Sequence, residues 1–394
     1  MEIRRIRNEE RPATSWFLGG YAFNPSPVPA ERQEKLRRYL PYNSGSVSLI
    51  AEEAGETLAT VTAIPMRQNV RGIVYPMAGV AGVATHPLAR RRGHIRTLLT
   101  RLLGELRDEG HVVSALYPFR PSFYAKFGYV GVPAARTVTF SPGGLGELLR
   151  AELPGELTWQ KVDAGYEAYR EFTLRLLTRR HGFSVMPDYR AAGLREEELW
   201  LVTARVDGEV VGAVTYRIEE HGGTLAAGDL LTTGPLGRAL LLRFFANHVD
   251  QVARVTALVG ADETPELWAT DLVARTEAKI SFPDSPAPMA RVLSMAGLNG
   301  LAAGTGRVDV EIVDDPFIAG RYRLDGGDGT LEVRPGEGGA PAATLTAAGF
   351  SALVYGVLDP AELPLRGLGT VPDDAAAELR SLFPRELPYL FSAF

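Results

Sequence analysis

The stretch "VAGVATHPLARRRGHIRTLLTRLLGELRDEG", residues 80–110, decides how this chain of 394 residues is read. Its opening, Val80 to Thr85, has the β-branched and small residues of a strand running into a turn. Beyond the turn, Ile95, Leu98, Leu99, Leu102, Leu103 and Leu106 recur at i, i+3, i+4, i+7, i+8 and i+11. That spacing makes one continuous apolar stripe, with Arg96, Arg101, Glu105 and Arg107 facing away, and predicts an amphipathic helix closed by Gly110. A strand entering a glycine turn at the head of a helix leaves free backbone N–H groups and the positive dipole end facing outward, where an anion binds. Arg90, Arg91 and Arg92 crowd that turn and Arg96 lies one turn into the helix. Arginines oppose the dipole at a helix start unless an anion sits there, so the pattern favours a pyrophosphate cradle over a solvated helix end. Gly93 allows close backbone approach, and the guanidinium groups add charge-assisted hydrogen bonds.

Upstream, Ser46 to Ala51, Leu58 to Met66 and Val74 to Thr85 read as strands separated by Gly, Asn or Pro. Downstream, "HVVSALY" reads as a buried strand and leads into "ALYPFRPSFYAKFGYV", residues 115–130. Tyr117, Phe119, Phe123, Tyr124, Phe127 and Tyr129 give this short stretch more aromatic surface than a solvent loop carries. Residues 147–200 are expected to be mainly helical. "LWLVTARVDGEVVGAVTYRIEE" then reads as a hairpin turning at Asp207 and Gly208, "GTLAAGDLLTT" as a strand and "GRALLLRFFANHV" as a helix. Strand, glycine and apolar helix thus occur twice, which points to a duplicated fold; the second copy keeps Gly234, Gly237 and Arg238 without an arginine cluster and looks unsuited to the first copy's ligand. "SFPDSPAPM", residues 281–289, is a candidate boundary. After it come a strand in "GRVDVEIVDD", a hairpin in "GRYRLDGGDGTLEVRPGEGG" and a strand and helix in "APAATLTAAGFSALVYG", an α+β layout.

Length alone predicts two or three domains. A formal net charge of −5 argues against a broad nucleic-acid surface. The absence of cysteine removes disulfides, thiolate metal sites and a cysteinyl intermediate, and suits a reducing cytosol. The charged start "MEIRRIRNEERPATSW" is no secretory leader, and Arg238 and Arg243 interrupt the longest apolar run, so a cytoplasmic protein without membrane insertion is expected. The six histidines form no ligand cluster, and no metal is expected; "GFSAL" lacks the second glycine of a nucleophile elbow.

"VAGVATHPLARRRGHIRTLL" resembles the acetyl-CoA signature of the GCN5-related N-acetyltransferases, in which Gln or Arg is followed after two residues by Gly, any residue, and Gly or Ala. Here Ile95 stands where that family prefers a small residue. Together with "SFYAKFGY", two acetyltransferase-like halves and "LTAAGFSALVYG" in a lipid-carrier-like end, the whole chain resembles the Eis (enhanced intracellular survival) family of these enzymes. The resemblance implies an α+β chain of three parts: a catalytic acetyltransferase domain over 1–148, a degenerate second copy over 149–285, and a sterol-carrier-protein-2-like domain over 286–394. It also implies a homo-hexamer that moves acetyl from acetyl-CoA to primary amines of aminoglycoside-like polyamines. Carried onto this chain, Val83, Ala84 and Thr85 would pair with the pantetheine, and Arg91, Arg92, Gly93, His94, Ile95 and Arg96 would hold the pyrophosphate. Phe119 and Arg120 would make a further cofactor contact, Tyr124 would be the acid, and the carboxylate of Phe394 the base.

The chemistry agrees with those roles. Direct transfer needs a neutral amine, a proton acceptor for it, support for the oxyanion and a proton for the departing thiolate. A phenol with an ordinary pKa of about 10 is protonated at neutral pH and can donate to sulfur. No carboxylate is legible near the tyrosine: Glu52, Glu53, Glu56, Glu105, Asp108 and Glu109 fall mostly at turns or on the polar helix face. The apolar ending "PYLFSAF" either docks, carrying its carboxylate inward, or simply packs or frays. Two other readings stay open. One keeps the chemistry with protein lysines or polyamines as acceptors, because the terminal segment offers a polycation only Glu386 and the chain-end carboxylate. The other is a non-catalytic acyl-CoA or lipid-binding scaffold.

Overall fold

The computed structural model describes residues 1–336 and 338–394, excepting the side chains of Arg32 and Lys35. Glu337, near the end of the stretch read as the carboxy-terminal hairpin, lies outside the described residues. The chain forms two compact units: Met1–Val132 with Arg180–Ala192 and Phe282–Phe394, and Pro133–Arg179 with Gly193–Ser281.

The first unit holds a seven-stranded sheet in the order Glu2–Ile6, Val47–Glu53, Glu56–Val70, Ile73–Thr85, Val113–Leu116, Met289–Val292, Val130–Gly131. The expected strands are present and run longer than read, because turns at Ala54-Gly55 and Arg71-Gly72, all at positive φ, let the strands pair along nearly their whole length. The helix is His94–Asp108; Leu98, Leu99, Leu102, Leu103 and Leu106 are buried against Leu49, Val61, Ala78 and Val80, and Gly110 (φ 96°) lets the chain turn back. This helix makes the crossover between the parallel pair Ile73–Thr85 and Val113–Leu116.

Met289–Val292, just past the proline-rich break, enters this sheet between Val113–Leu116 and Val130–Gly131. A five-stranded sheet follows, in the order Glu332–Pro335, Gly320–Asp325, Arg307–Val313, Ala343–Thr346, Gly369–Thr370, with helices Ala347–Val354 and Asp373–Leu382. One apolar core runs without a break from Ile64, Met77 and Val113 through Val292 to Ile312, Phe350 and Leu379.

The second unit has its own sheet, ordered Arg275–Glu277, Arg136–Phe140, Arg254–Val259, Thr224–Asp229, Glu209–Ile218, Trp200–Val206, Glu156–Lys161, with Leu231–Thr232 paired to Glu209–Ile218. It repeats the motif of the first: Thr224–Asp229 and Arg254–Val259 are parallel and helix Pro235–Ala246 connects them. Residues 147–200 are mainly helical as read, with helices Gly146–Arg150, Val162–Leu177 and Asp188–Glu196, but one part differs: Glu156–Lys161 is a strand, held by its ladder to Trp200–Val206 and by the stacking of Trp159 on Trp200 at 4.0 Å. Cross-strand aromatic packing overrides the charges that made the segment look helical.

A buried polar node fastens the first unit. Arg71 sits at the turn before Ile73–Thr85 with φ 45°, and its guanidinium donates to the carbonyls of Val354 (2.7 Å), Leu353 (3.2 Å) and Pro384 (2.8 Å). The first two carbonyls end helix Ala347–Val354, where the dipole favours a cation. The Arg71 N–H donates to Nδ1 of His181 at 3.1 Å, so the ring proton lies on Nε2 and donates to the Tyr355 carbonyl at 3.1 Å. Burial holds the His181 pKa down to about 4; the Tyr355 carbonyl opposes that shift and Arg71 adds to it. Unfolded, the same ring would protonate near pH ~6.5. Below that pH the unfolded chain takes up a proton that the folded chain refuses, so this contribution is complete above about pH 6.5 and fades as the pH falls toward 4. The expected loss between those limits is about 3 kcal/mol. Urea unfolding of wild type and His181→Gln at intervals from pH 7 to 4 checks it: the variant is less stable at pH 7 but its stability declines less steeply, whereas parallel curves would remove His181 as the cause.

Candidate active site

The site is built where the parallel pair opens. Ile73–Thr85 and Val113–Leu116 are in register from Met77 opposite Val113 to Val80 opposite Leu116. Val113–Leu116 then stops while the other strand continues through 81–85, so among the described residues this edge has no strand partner. On the opposite side a bulge places Gly82 and Val83 against one residue of the neighbour, between the pairs Ala81 with Thr62 and Ala84 with Thr60. Gly82 meets the bulge with φ 58°, and a side chain there would press on Thr62 Oγ1 at 3.3 Å. Val83 and Thr85 are half-buried and Ala84 is buried, as a strand edge lining a cleft would be.

The turn that follows is preorganised for an anion. Arg91 (φ 63°) and Gly93 (φ 83°) are both left-handed, and Gly93 begins helix His94–Asp108 without a side-chain cap. The first backbone bond into the helix runs from Thr97 N–H to the Gly93 carbonyl at 3.2 Å. The amides of His94, Ile95 and Arg96 have no acceptor among the described residues. Arg91, Arg92 and Arg96 are exposed and unpaired among those residues, while Arg90 lies over the Tyr21 ring at 5.9 Å. His94 is half-buried with Nε2 unpartnered, whereas His86 is occupied in accepting from Leu88 N–H at 3.3 Å. The residues present therefore fit a pyrophosphate: free N–H groups, a dipole end and exposed guanidiniums meet at one turn.

The aromatic stretch packs on the same core as Val80, Val83 and Leu98. Tyr124 ends the short helix Pro121–Tyr124, its ring buried among Phe119 (5.5 Å between centroids), Phe123 (5.0 Å) and Tyr129 (6.1 Å). Its hydroxyl has no hydrogen-bond partner among the described residues. Burial, with a smaller push from Tyr129, raises its pKa well above the ordinary phenol value. Tyr129 differs: its hydroxyl is bonded to Ser114 Oγ at 2.6 Å and burial pushes its pKa up to about 12, so it is a satisfied core tyrosine. Phe119 is exposed beside Tyr124, and Arg120 is exposed next to it.

The chain end docks. Tyr389, Leu390 and Phe391 are buried, and the ring of Phe394 meets Tyr117 edge to face at 5.4 Å. The same ring lies 3.1 Å from where a side chain on Gly79 would begin. Gly79 was not legible as a site residue, because its requirement is set by a segment more than three hundred positions later. The carboxylates near the tyrosine in sequence are held elsewhere: Glu52 by Arg4 (2.9 Å), Glu105 by Arg101 (2.7 Å), Glu109 by Arg5 (2.8 Å) and Asp108 by Arg107 (2.8 Å). In the second unit the equivalent turn differs. Gly234 is extended rather than left-handed, and Arg238 is engaged by Glu263 at 3.0 Å.

A family model described as an acetyltransferase (GNAT) domain matches residues 2–131, and one described as a sterol carrier protein domain matches 290–391. The fold and the cradle thus define an N-acetyltransferase of the GCN5-related class with a carrier-protein domain appended. An uncharacterized N-acetyltransferase of Streptomyces coelicolor is 28% identical over 83% of each chain. The N-acetyltransferase Eis of Mycobacterium tuberculosis is 34% identical over 80 residues, 20% of each chain. The same fold, across the full length of both chains, is seen in Eis1 from Mycobacterium abscessus, with a TM-score of 0.78 and 18% identity. A GCN5-related N-acetyltransferase from Anabaena variabilis likewise covers both chains completely, with a TM-score of 0.82 and 19% identity. The chain thus carries an acetyltransferase domain of the GCN5-related type and is similar to the Eis enzymes in part of its sequence and in its fold.

One consequence of the docked end can be measured. Gly79→Ala places a methyl 2.8 Å from Met66 Sδ and 3.1 Å from the Phe394 ring, so Met66 must shift and the ring must give by a few tenths of an ångström. Acetyl-CoA affinity by calorimetry should stay within about twofold while turnover falls about tenfold or more. Equal turnover would show that the docked ring has no bearing on the reaction.

Proposed function

We propose that this protein moves acetyl directly from acetyl-CoA to a primary amine of an aminoglycoside-like polyamine, with catalysis carried by residues 1–148 and the end of the chain. Residues 149–285 are a degenerate copy and 286–394 a carrier-like domain. The observation that carries the reading is the open edge at 81–85 leading into an uncapped helix start beside Arg91, Arg92 and Arg96. Val83, Ala84 and Thr85 would pair with the pantetheine amides. The amides of Gly93, His94 and Ile95, with the three guanidiniums, would hold the pyrophosphate, and Phe119 and Arg120 would flank the thiol end.

The amine attacks the thioester carbonyl, the carboxylate of Phe394 accepts the amine's proton, and the Tyr124 hydroxyl protonates the leaving thiolate. Burial keeps that phenol protonated throughout the physiological range, as an acid requires. A homo-hexamer is the assembly proposed. A second acceptor class, lysine side chains of proteins or simple polyamines, is favoured by one observation. Glu386, the acidic side chain nearest the chain end in sequence, lies 3.8 Å from the buried Arg71 guanidinium and is partly neutralised for drawing a polycation.

The test is thiol release from acetyl-CoA with aminoglycosides, polyamines and a lysine peptide, for wild type and Tyr124→Phe. The variant should bind acetyl-CoA normally and lose about a hundredfold in kcat. In wild type the rate should climb with pH as the amine deprotonates and show no descending limb below about pH 10, because Tyr124 stays protonated. Acetyl-CoA binding with no turnover on any amine would instead favour a scaffold, and full activity of Tyr124→Phe would remove the acid.

A further inference from the structure

We propose that residues 180–192 form a strap that positions the end of the chain for catalysis, with Ser184 and Arg190 as positioning residues; this rests on the reading of the Phe394 carboxylate as base. The chain leaves the second unit at Arg179, adds Arg180–Ala192 to the first, and returns at Gly193. A connection between two elements of one unit does not need that excursion. What the excursion does is bridge a fixed strand and the tail.

On one side it is bonded to the Glu56–Val70 strand. Gly182 N–H donates to the Asn69 carbonyl (2.8 Å), Asn69 N–H to the Phe183 carbonyl (2.9 Å) and Val185 N–H to the Arg67 carbonyl (3.0 Å). The buried Gln68 side chain adds a bond to the Gly182 carbonyl at 3.0 Å. On the other side it holds the tail at every second residue. Tyr389 N–H donates to the His181 carbonyl (3.0 Å), Ser184 Oγ–H donates to the Phe391 carbonyl, and Arg190 Nε–H donates to the Ala393 carbonyl (2.9 Å). Phe183 stacks on Phe391 at 4.6 Å with planes 6° apart, and the Arg180 guanidinium lies over Tyr389 at 4.2 Å. Gly182 has φ 78°, and a side chain there would fall 2.4 Å from Pro388 Cβ, so the strap and tail approach backbone to backbone.

This spacing fixes the tail's register, and a shift of one residue would move the end of the chain by more than ~3 Å, beyond proton-transfer reach. Arg190 makes the last backbone anchor before Phe394, after the left-handed turn at Ser392 (φ 62°). Beyond it, the end is located by the Phe394 ring against Gly79 and Tyr117. The excursion thus gives the catalytic end its register.

The experiment compares wild type, Ser184→Ala, Arg190→Ala, Arg190→Lys and a chain lengthened by one glycine after Phe394. Steady-state kinetics are measured together with the rate at which carboxypeptidase releases Phe394. Arg190 is exposed, so its variants should fold even if Ser184→Ala does not. The proposal expects kcat about tenfold lower in Arg190→Ala, both KM values within about twofold, faster release of Phe394, and partial rescue by Arg190→Lys. If the added glycine lowers kcat while the strap variants leave kcat and release unchanged, the strap is overturned and the base stands. If the added glycine leaves kcat intact, the base reading itself fails, and the strap's catalytic role with it.

Discussion

The aromatic side of the site is tied to the carboxy-terminal sheet by one buried ion pair, Arg291 with Asp315 at 2.8 Å, both side chains almost completely withdrawn from solvent. Two charges taken out of water are tolerated only where further hydrogen bonds complete them. Asp315 also accepts from the N–H groups of Phe317 and Ile318, and Arg291 donates to the carbonyls of Val292 and Phe127 and faces the Tyr129 ring. Leaving either charge unpaired would cost about 3–5 kcal/mol. The pair therefore locks three things together: the strand Met289–Val292 inside the first sheet, the aromatic stretch that carries Tyr124, and the carboxy-terminal sheet. Gly128 is part of this lock, since a side chain there would press on the Arg291 guanidinium at 3.1 Å.

That lock explains why the carrier-like part shares a core with the acetyltransferase part. Strand Met289–Val292 occupies the sheet position beside the opened parallel pair, so the sheet is incomplete without residues that follow the proline-rich break. The chain end then returns along the strap to Gly79 and Tyr117. One face of the open edge is set by local sequence and the other by segments hundreds of residues away.

The division matches what could be read in advance. The helix His94–Asp108, the strand before it and the arginine turn were legible, because period and turn chemistry are local. Tyr124 was singled out as the acid by family resemblance, with Tyr129 read as packing beside it; the physical difference between them comes from packing, which leaves one hydroxyl unpartnered among the described residues and bonds the other to Ser114. The strand Glu156–Lys161 was missed because its stabilising partner, Trp200, is forty residues on. Gly79, Ser184 and Arg190 carried no sequence signal, since their contacts with the tail reach some two hundred residues or more along the chain.

The central claim is that a single donor site lies at 81–85 and 91–96, and that the second copy of the motif has lost its own. Hydrogen–deuterium exchange of the full chain with and without acetyl-CoA measures this directly. The account predicts slowed exchange at the amides of 81–85 and 93–96, with no change across 224–238. Protection appearing at 224–238 instead, or at neither turn, would contradict it.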